Sequence, residues 1–175
     1  GLGDVYKRQA TQMDRLGEAK VVVAGGMESM SKAPHLLMKS RSGYRIGDGT
    51  IVDSMMFDGL TCTIEHCAMG EATERYAQEL NLSREAQDTF SAQSHERAAK
   101  AQKDGLFVDE ITPVSIPSRN GDDFVIAEDE GIRPDIDVAS LGRLAPAFEA
   151  NGSITAGNAS QISDGAAAVI VTTLD

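Results

Sequence analysis

Two short apolar runs without alternation, Val21–Ala24 and Ala166–Val171, stand more than a hundred residues apart and constrain this chain more than any other feature. Successive apolar residues with no polar partner between them read as strands covered on both faces. Everything between the runs is then an insertion carried on an α/β layer, which is not the pattern of a self-contained doubly wound fold. The second run is preceded by "ITAGNASQISDGA", built mostly of Gly, Ala, Ser and Thr. Side chains this small expose backbone N–H and C=O to whatever packs there. Two readings stay open on these residues alone: tight backbone packing at a strand entrance, or a thin, extended ligand with amides of its own.

The rest of the chain reads coarsely. Gly1–Gln9 has neither helical nor strand period and is expected to be a non-native leader, followed by the last turns of a helix at Thr11–Gly17. From Met27 to Thr63 no period is clear, and a loop this long in a compact domain is usually functional. Its middle holds Lys32, Lys39, Arg41 and Arg45 with no acid, either a solvated loop or one facing an anion or another subunit. A helix is expected over Met69–Leu80 with Met69, Ala72, Tyr76 and Leu80 on one face. Ser83 reads as the N-cap of a second helix that carries Ala86, Phe90, Ser94, Ala98 and Ala101 at helical spacing and stops at Gly105. Two strands about a turn at Asn120-Gly121 and a short helix near Ala139–Leu144 complete the insertion.

Composition excludes several classes of function. A net charge of −11 argues against nucleic acid or a membrane surface as the main partner. Two cysteines, Cys62 and Cys67, with neither CxxC nor metal spacing, suggest a reducing, cytoplasmic setting. His35, His66 and His95 are isolated, with His95 expected to be exposed, and no metal site is expected. "VVVAGG" lacks GxGxxG and a helix directly after it, so a dinucleotide loop is disfavoured.

Five segments, taken in order, resemble the thiolase family of acetyl-CoA C-acyltransferases. They are "VVVAGGMESMS", "DGLT" followed by "MG", "LSREAQDTFSAQSHERAAKAQKDGLFVDEI", "DEGIRPD" and "LAPAFEANGSITAGNASQISDGAAA". The resemblance runs from about Ala10 to Asp175 and implies a partial thiolase-like α/β fold. Residues 10–26 would be a helix end and core strand of the N-terminal half, 27–150 a coenzyme A-binding loop domain, and 151–175 the return to that half. It also implies acyl transfer between acyl-CoA and coenzyme A or a second acyl-CoA through a Cys acyl-enzyme. Coenzyme A is then substrate, no cofactor is permanently bound, and the parent protein is a homodimer or homotetramer of fatty acid metabolism. Ser160 and Ala156 match positions that contact the pantetheine arm. Leu60 and Met69 match apolar positions beside the arm and acyl pocket, and Arg119 a basic position near the nucleotide.

The match departs where a common His is Ala68, a usual Asn is Arg75 and a usual basic residue is Ala145. The family's nucleophilic Cys would fall just before Gly1, and its activating His, Asn and second Cys beyond Asp175. No catalytic residue is therefore expected here, and the chain alone is expected to be inactive. The alternative is a non-catalytic thiolase-like protein that carries acyl-CoA or lipid.

Overall fold

The computed structural model describes residues 4–119 and 121–173, which form two compact units. Of the described residues, 4–61 and 162–173 make up one, and those within Cys62–Gln161 the other. Residues 27–61 of the expected loop domain thus fall in the first unit, and residues 151–161 in the second.

The first unit opens with α1 (Asp4–Arg15). Asp4 in its first turn and Arg15 in its last complement the helix dipole, and the chain leaves through Gly17 at φ +72°. The helix begins well before Thr11, so Asp4–Gln9 is helical despite its polar make-up, while the first three leader residues lie outside the described residues. Next comes β1 (Val21–Ser29), paired antiparallel with the chain's last strand, β8 (Asp164–Thr172), from Val21↔Thr172 to Ser29↔Asp164. Helix α1 packs on both strands. A Cβ at Gly25 would lie 2.6 Å from Ala167 O, so glycine is what lets the two backbones pair there. Ser31 donates its N–H to Asp164 Oδ1 at 2.9 Å and its hydroxyl to Oδ2, tying the end of the ribbon shut.

Both apolar runs are strands, each longer than expected. Neither is covered on both faces: Val23 and Ile170 are each 70% exposed, and of β1 only Ala24 is buried. The expected loop after Met27 also holds structure. It contains a 3-10 turn (Met30–Lys32), the antiparallel pair β2 (His35–Leu37) and β3 (Ile51–Asp53), and a π-helical turn at Met55–Gly59. Two short strands follow, β4 (Thr61–Cys62) and β5 (Cys67–Ala68).

The second unit is built on α2 (Met69–Glu79) and α3 (Arg84–Lys103). Ser83 caps α3, its hydroxyl accepting the Ala86 N–H at 3.1 Å, and Gly105 ends that helical region at φ +69°. The hairpin strands β6 (Val114–Ile116) and β7 (Phe124–Ile126) pair antiparallel; Asn120 of the expected turn lies outside the described residues. Helix α4 (Val138–Leu141) starts in a reciprocal cap between Asp137 and Ser140 and packs on α3.

The apolar residues that recur at helical spacing are not the most buried ones. Met69, Tyr76 and Leu80 of α2 are exposed, and its buried residues are Ala72, Glu74 and Ala77. On α3 Phe90 is exposed and Asp88 is buried. Two carboxylates thus occupy positions where apolar residues are the usual choice.

Candidate functional site

Those carboxylates hold up the small-residue loop. Glu74 is fully buried; Ser153 donates its N–H and its hydroxyl to Oε1, both at 2.6 Å, and Ile154 donates its N–H to Oε2 at 2.9 Å. Burial pushes the Glu74 pKa up, but these three hydrogen bonds outweigh it and leave the group below its usual value. Asp88, 1% exposed, accepts Arg84 Nε at 2.7 Å on Oδ2 and Asn158 Nδ2 at 2.9 Å on Oδ1.

Asn158 turns this support back into the loop. Its Oδ1 accepts the Thr155 N–H at 2.7 Å, and its Nδ2 also donates to Ser153 O at 3.1 Å. Gln87 donates to the Ser153 hydroxyl at 2.8 Å. Ala147 N–H donates to Ile154 O at 2.9 Å, which fastens the "PAF" segment to the loop. The Arg84 guanidinium also donates to Leu141 O at 2.6 Å and Leu144 O at 3.1 Å. Among the described residues no buried side-chain polar atom lacks a partner, so the network is closed.

The packing reading holds for part of the loop. Gly152 and Gly157 are packing glycines: a Cβ would lie 2.6 Å from Glu74 Oε2 in the first case and 2.4 Å from Leu141 Cδ2 in the second. Ala156 and Ser160, by contrast, are exposed. Ala156, Gly157 and Ala159 line an open cavity of about 330 Å³ with His95, Arg133 and Gln161. His95 is half-buried rather than exposed, because its Nδ1 accepts the Arg133 N–H at 3.2 Å.

Of the expected site residues, Ala156 lines this cavity, with Ser160 at the end of the same loop. Met69 is exposed at the start of α2, next to Gly70, where a Cβ would lie 2.2 Å from the Phe148 ring. The Met-Gly pair, the "PAF" segment and the small-residue loop are therefore neighbours. Arg119 is exposed and does not line the cavity; the cation that does is Arg133. "DEGIRPD" carried Arg133 in the sequence, but nothing local marked it. Leu60 lies in the first unit, half-buried, closing the π-helical turn through its N–H to Met55 O at 3.0 Å. Arg75, the departure on α2, forms an exposed ion pair with Glu65 at 3.3 Å.

Cys62 and Cys67 are free thiols, both half-buried. Among the described residues no cluster of His, Cys, Asp or Glu could hold a metal ion, and no helix is long and apolar enough to cross a membrane.

The paired strands and the loop braced by helices form an α/β arrangement, and comparison with known families makes it specific. The thiolase N-terminal domain family matches residues 6–175, and the chain belongs to that family. A probable acetyl-CoA acetyltransferase of Mycolicibacterium smegmatis is 56% identical over 162 residues, 93% of this chain and 42% of the relative. A probable acetyl-CoA acyltransferase of Staphylococcus aureus (strain COL) is 48% identical over 159 residues, 91% of this chain and 40% of the relative. The solved acetyl-CoA acetyltransferase of Syntrophomonas wolfei superposes with a TM-score of 0.88 at 40% identity, covering 96% of this chain and 42% of that one. The Bacillus anthracis acetyl-CoA acetyltransferase gives 0.85 at 40% identity, covering 94% and 41%. The fold is a partial thiolase-like α/β fold, and the chain spans about two-fifths of the length of these relatives.

Proposed function

We propose that this chain is the part of a thiolase that supplies the coenzyme A floor, in a protein that moves acyl groups between acyl-CoA and coenzyme A or a second acyl-CoA. One observation carries the reading: a loop of small residues is braced from beneath by a closed polar network and leaves Ala156 and Ser160 facing outward. Such a surface suits the thin, amide-bearing pantetheine arm, because methyl and hydroxymethyl side chains let backbone amides approach it. Met69, at the α2 start, would flank the arm and the acyl group. Arg133, which lines the cavity, would meet a phosphate there, and Arg119 would meet one elsewhere. Lys39, Arg41 and Arg45 would serve the nucleotide end or a subunit contact in a homodimer or homotetramer.

The acyl-enzyme step would belong to a Cys thiolate and an activating base elsewhere in the protein. Coenzyme A is substrate in this scheme, and a cytoplasmic location fits it.

The test is calorimetric titration of coenzyme A into the 175-residue chain. Ser160→Phe should weaken binding at least about tenfold, since a ring would fill the arm's path while the loop's anchors stay in place. Arg133→Ala should weaken it too, by an amount that shrinks as salt rises. Unchanged affinity in Ser160→Phe removes the loop from the arm's path. No binding of coenzyme A by the unaltered chain overturns the floor as a whole.

A further inference from the structure

We propose that Cys62 and Cys67 are a redox pair that closes to a disulfide under a hydroperoxide oxidant and reopens with thiol. The two strands β4 and β5 form a two-stranded ribbon, and residues 63–66 form the turn between them. Strands joined by so short a connection can only run antiparallel. The register that uses both residues of each strand sets Cys62 directly opposite Cys67. Opposed residues in such a pair have Cα atoms about 4.5–5.5 Å apart, inside the roughly 4.4–6.8 Å span that a disulfide bridges.

The turn itself favours closure. His66 takes φ +53°, a left-handed conformation that reverses the chain immediately before Cys67. The N–H of Glu65 donates to Cys62 Sγ at 3.4 Å, which turns that sulfur over the loop. Both thiols are free and half-buried, so a small oxidant can reach them while the ribbon keeps them together. Neither was needed for the coenzyme floor, so the pair stands independently of that reading.

The chemistry balances with peroxide as the oxidant. One thiolate attacks a peroxide oxygen, giving a sulfenic acid and hydroxide. The other thiol, as thiolate, attacks that sulfur and expels a second hydroxide, forming the S–S bond. In net terms two thiols and one hydrogen peroxide give one disulfide and two waters; the sulfurs are oxidised and the peroxide is reduced. A dithiol reverses the step by exchange.

The experiment treats the full 175-residue chain with hydrogen peroxide and follows free thiols and intact mass. The expected result is loss of both thiols, a mass lower by two hydrogens, a linked Cys62–Cys67 peptide and full recovery with dithiothreitol. Closure should run at least about tenfold faster in the folded chain than in urea, because the ribbon holds the sulfurs at reach. Cys62→Ser and Cys67→Ser should each abolish the two-hydrogen loss and leave the remaining thiol to go on to higher oxides. Chains linked to one another, sulfinic acid in the unaltered protein, or equal rates with and without urea would each overturn the proposal.

Discussion

The loop at Gly152–Ser160 and the ribbon of β1 and β8 are both made of small and β-branched residues, yet they are ordered by opposite means. The loop is fixed by side chains from α2, from α3 and from the loop itself: Glu74, Gln87 and Asn158 each hold a named backbone or hydroxyl group, and Asp88 holds the Asn158 amide. The ribbon is fixed by backbone pairing along nine residue pairs, while most of its side chains stand exposed. The first kind of order fixes the loop's shape independently of its surroundings. The second kind keeps two strands in register and leaves their apolar faces to other contacts.

The sharpest way to break this contrast is Glu74→Leu. It leaves the Ser153 and Ile154 N–H groups buried without an acceptor, and should destabilise the second unit by about 3 kcal/mol or more. Glu74→Gln should cost less but not nothing. Both carboxylate oxygens accept N–H groups, so an amide must turn its own NH₂ against one of them. Urea unfolding followed through the helical signal measures both; a change below about 0.5 kcal/mol in Glu74→Leu would mean the loop is held by something else.

Gly157→Val comes next. Its added carbons meet Leu141 and Leu144, and overpacking of that kind typically costs about 1–3 kcal/mol. Ala156→Ser, one residue away and facing outward, should be nearly silent in the same assay. Equal effects at both positions would erase the division of the loop into packing and exposed residues.

A pH titration sharpens the comparison further. Glu74 binds its proton less readily in the folded chain, so its contribution is fully present above its ordinary value of about 4.5 and is lost as pH falls through the lowered folded value. Unfolding midpoints should therefore drop below about pH 4.5, and the drop should be shallower in Glu74→Gln. An unchanged slope in that variant assigns the acid sensitivity to other carboxylates, of which Asp164, held low by its hydrogen bonds to Ser31, is one.

These experiments bear on residues the sequence concealed. Helix α2 was legible from its period, but its buried face was not, because an acid on a helix ordinarily reads as solvated. The partners that bury Glu74 lie 79 and 80 positions away, and no local pattern announces them. Ser83 was legible as a cap because capping is a matter of three residues. The half-burial of His95 is hidden in the same way: its partner, Arg133, is 38 positions off. The strands at Val21 and Ala166 were readable from composition, whereas their exposure depends on what else packs against them. Arg133 sits in the "DEGIRPD" segment, but nothing in that pattern says that it lines a cavity and Arg119 does not; the fold shows it.

The smallest expected effect lies in the ribbon. Ile170→Thr replaces an exposed apolar side chain with another β-branched one, and should shift unfolding by less than about 0.5 kcal/mol while reducing self-association seen by light scattering. A large loss of stability there would mean that ribbon side chains carry load as the loop's do.

The distance along the chain between the loop and its anchors has a kinetic consequence. Contacts that close over 66 to 80 positions repay their loop entropy only after both helices have formed and docked. The small-residue loop is therefore expected to take shape late in folding, after the helical framework it sits on. A nascent or partly unfolded chain would then show helix without the shaped loop, so that the loop's closed network arrives in one step and reports that assembly is complete.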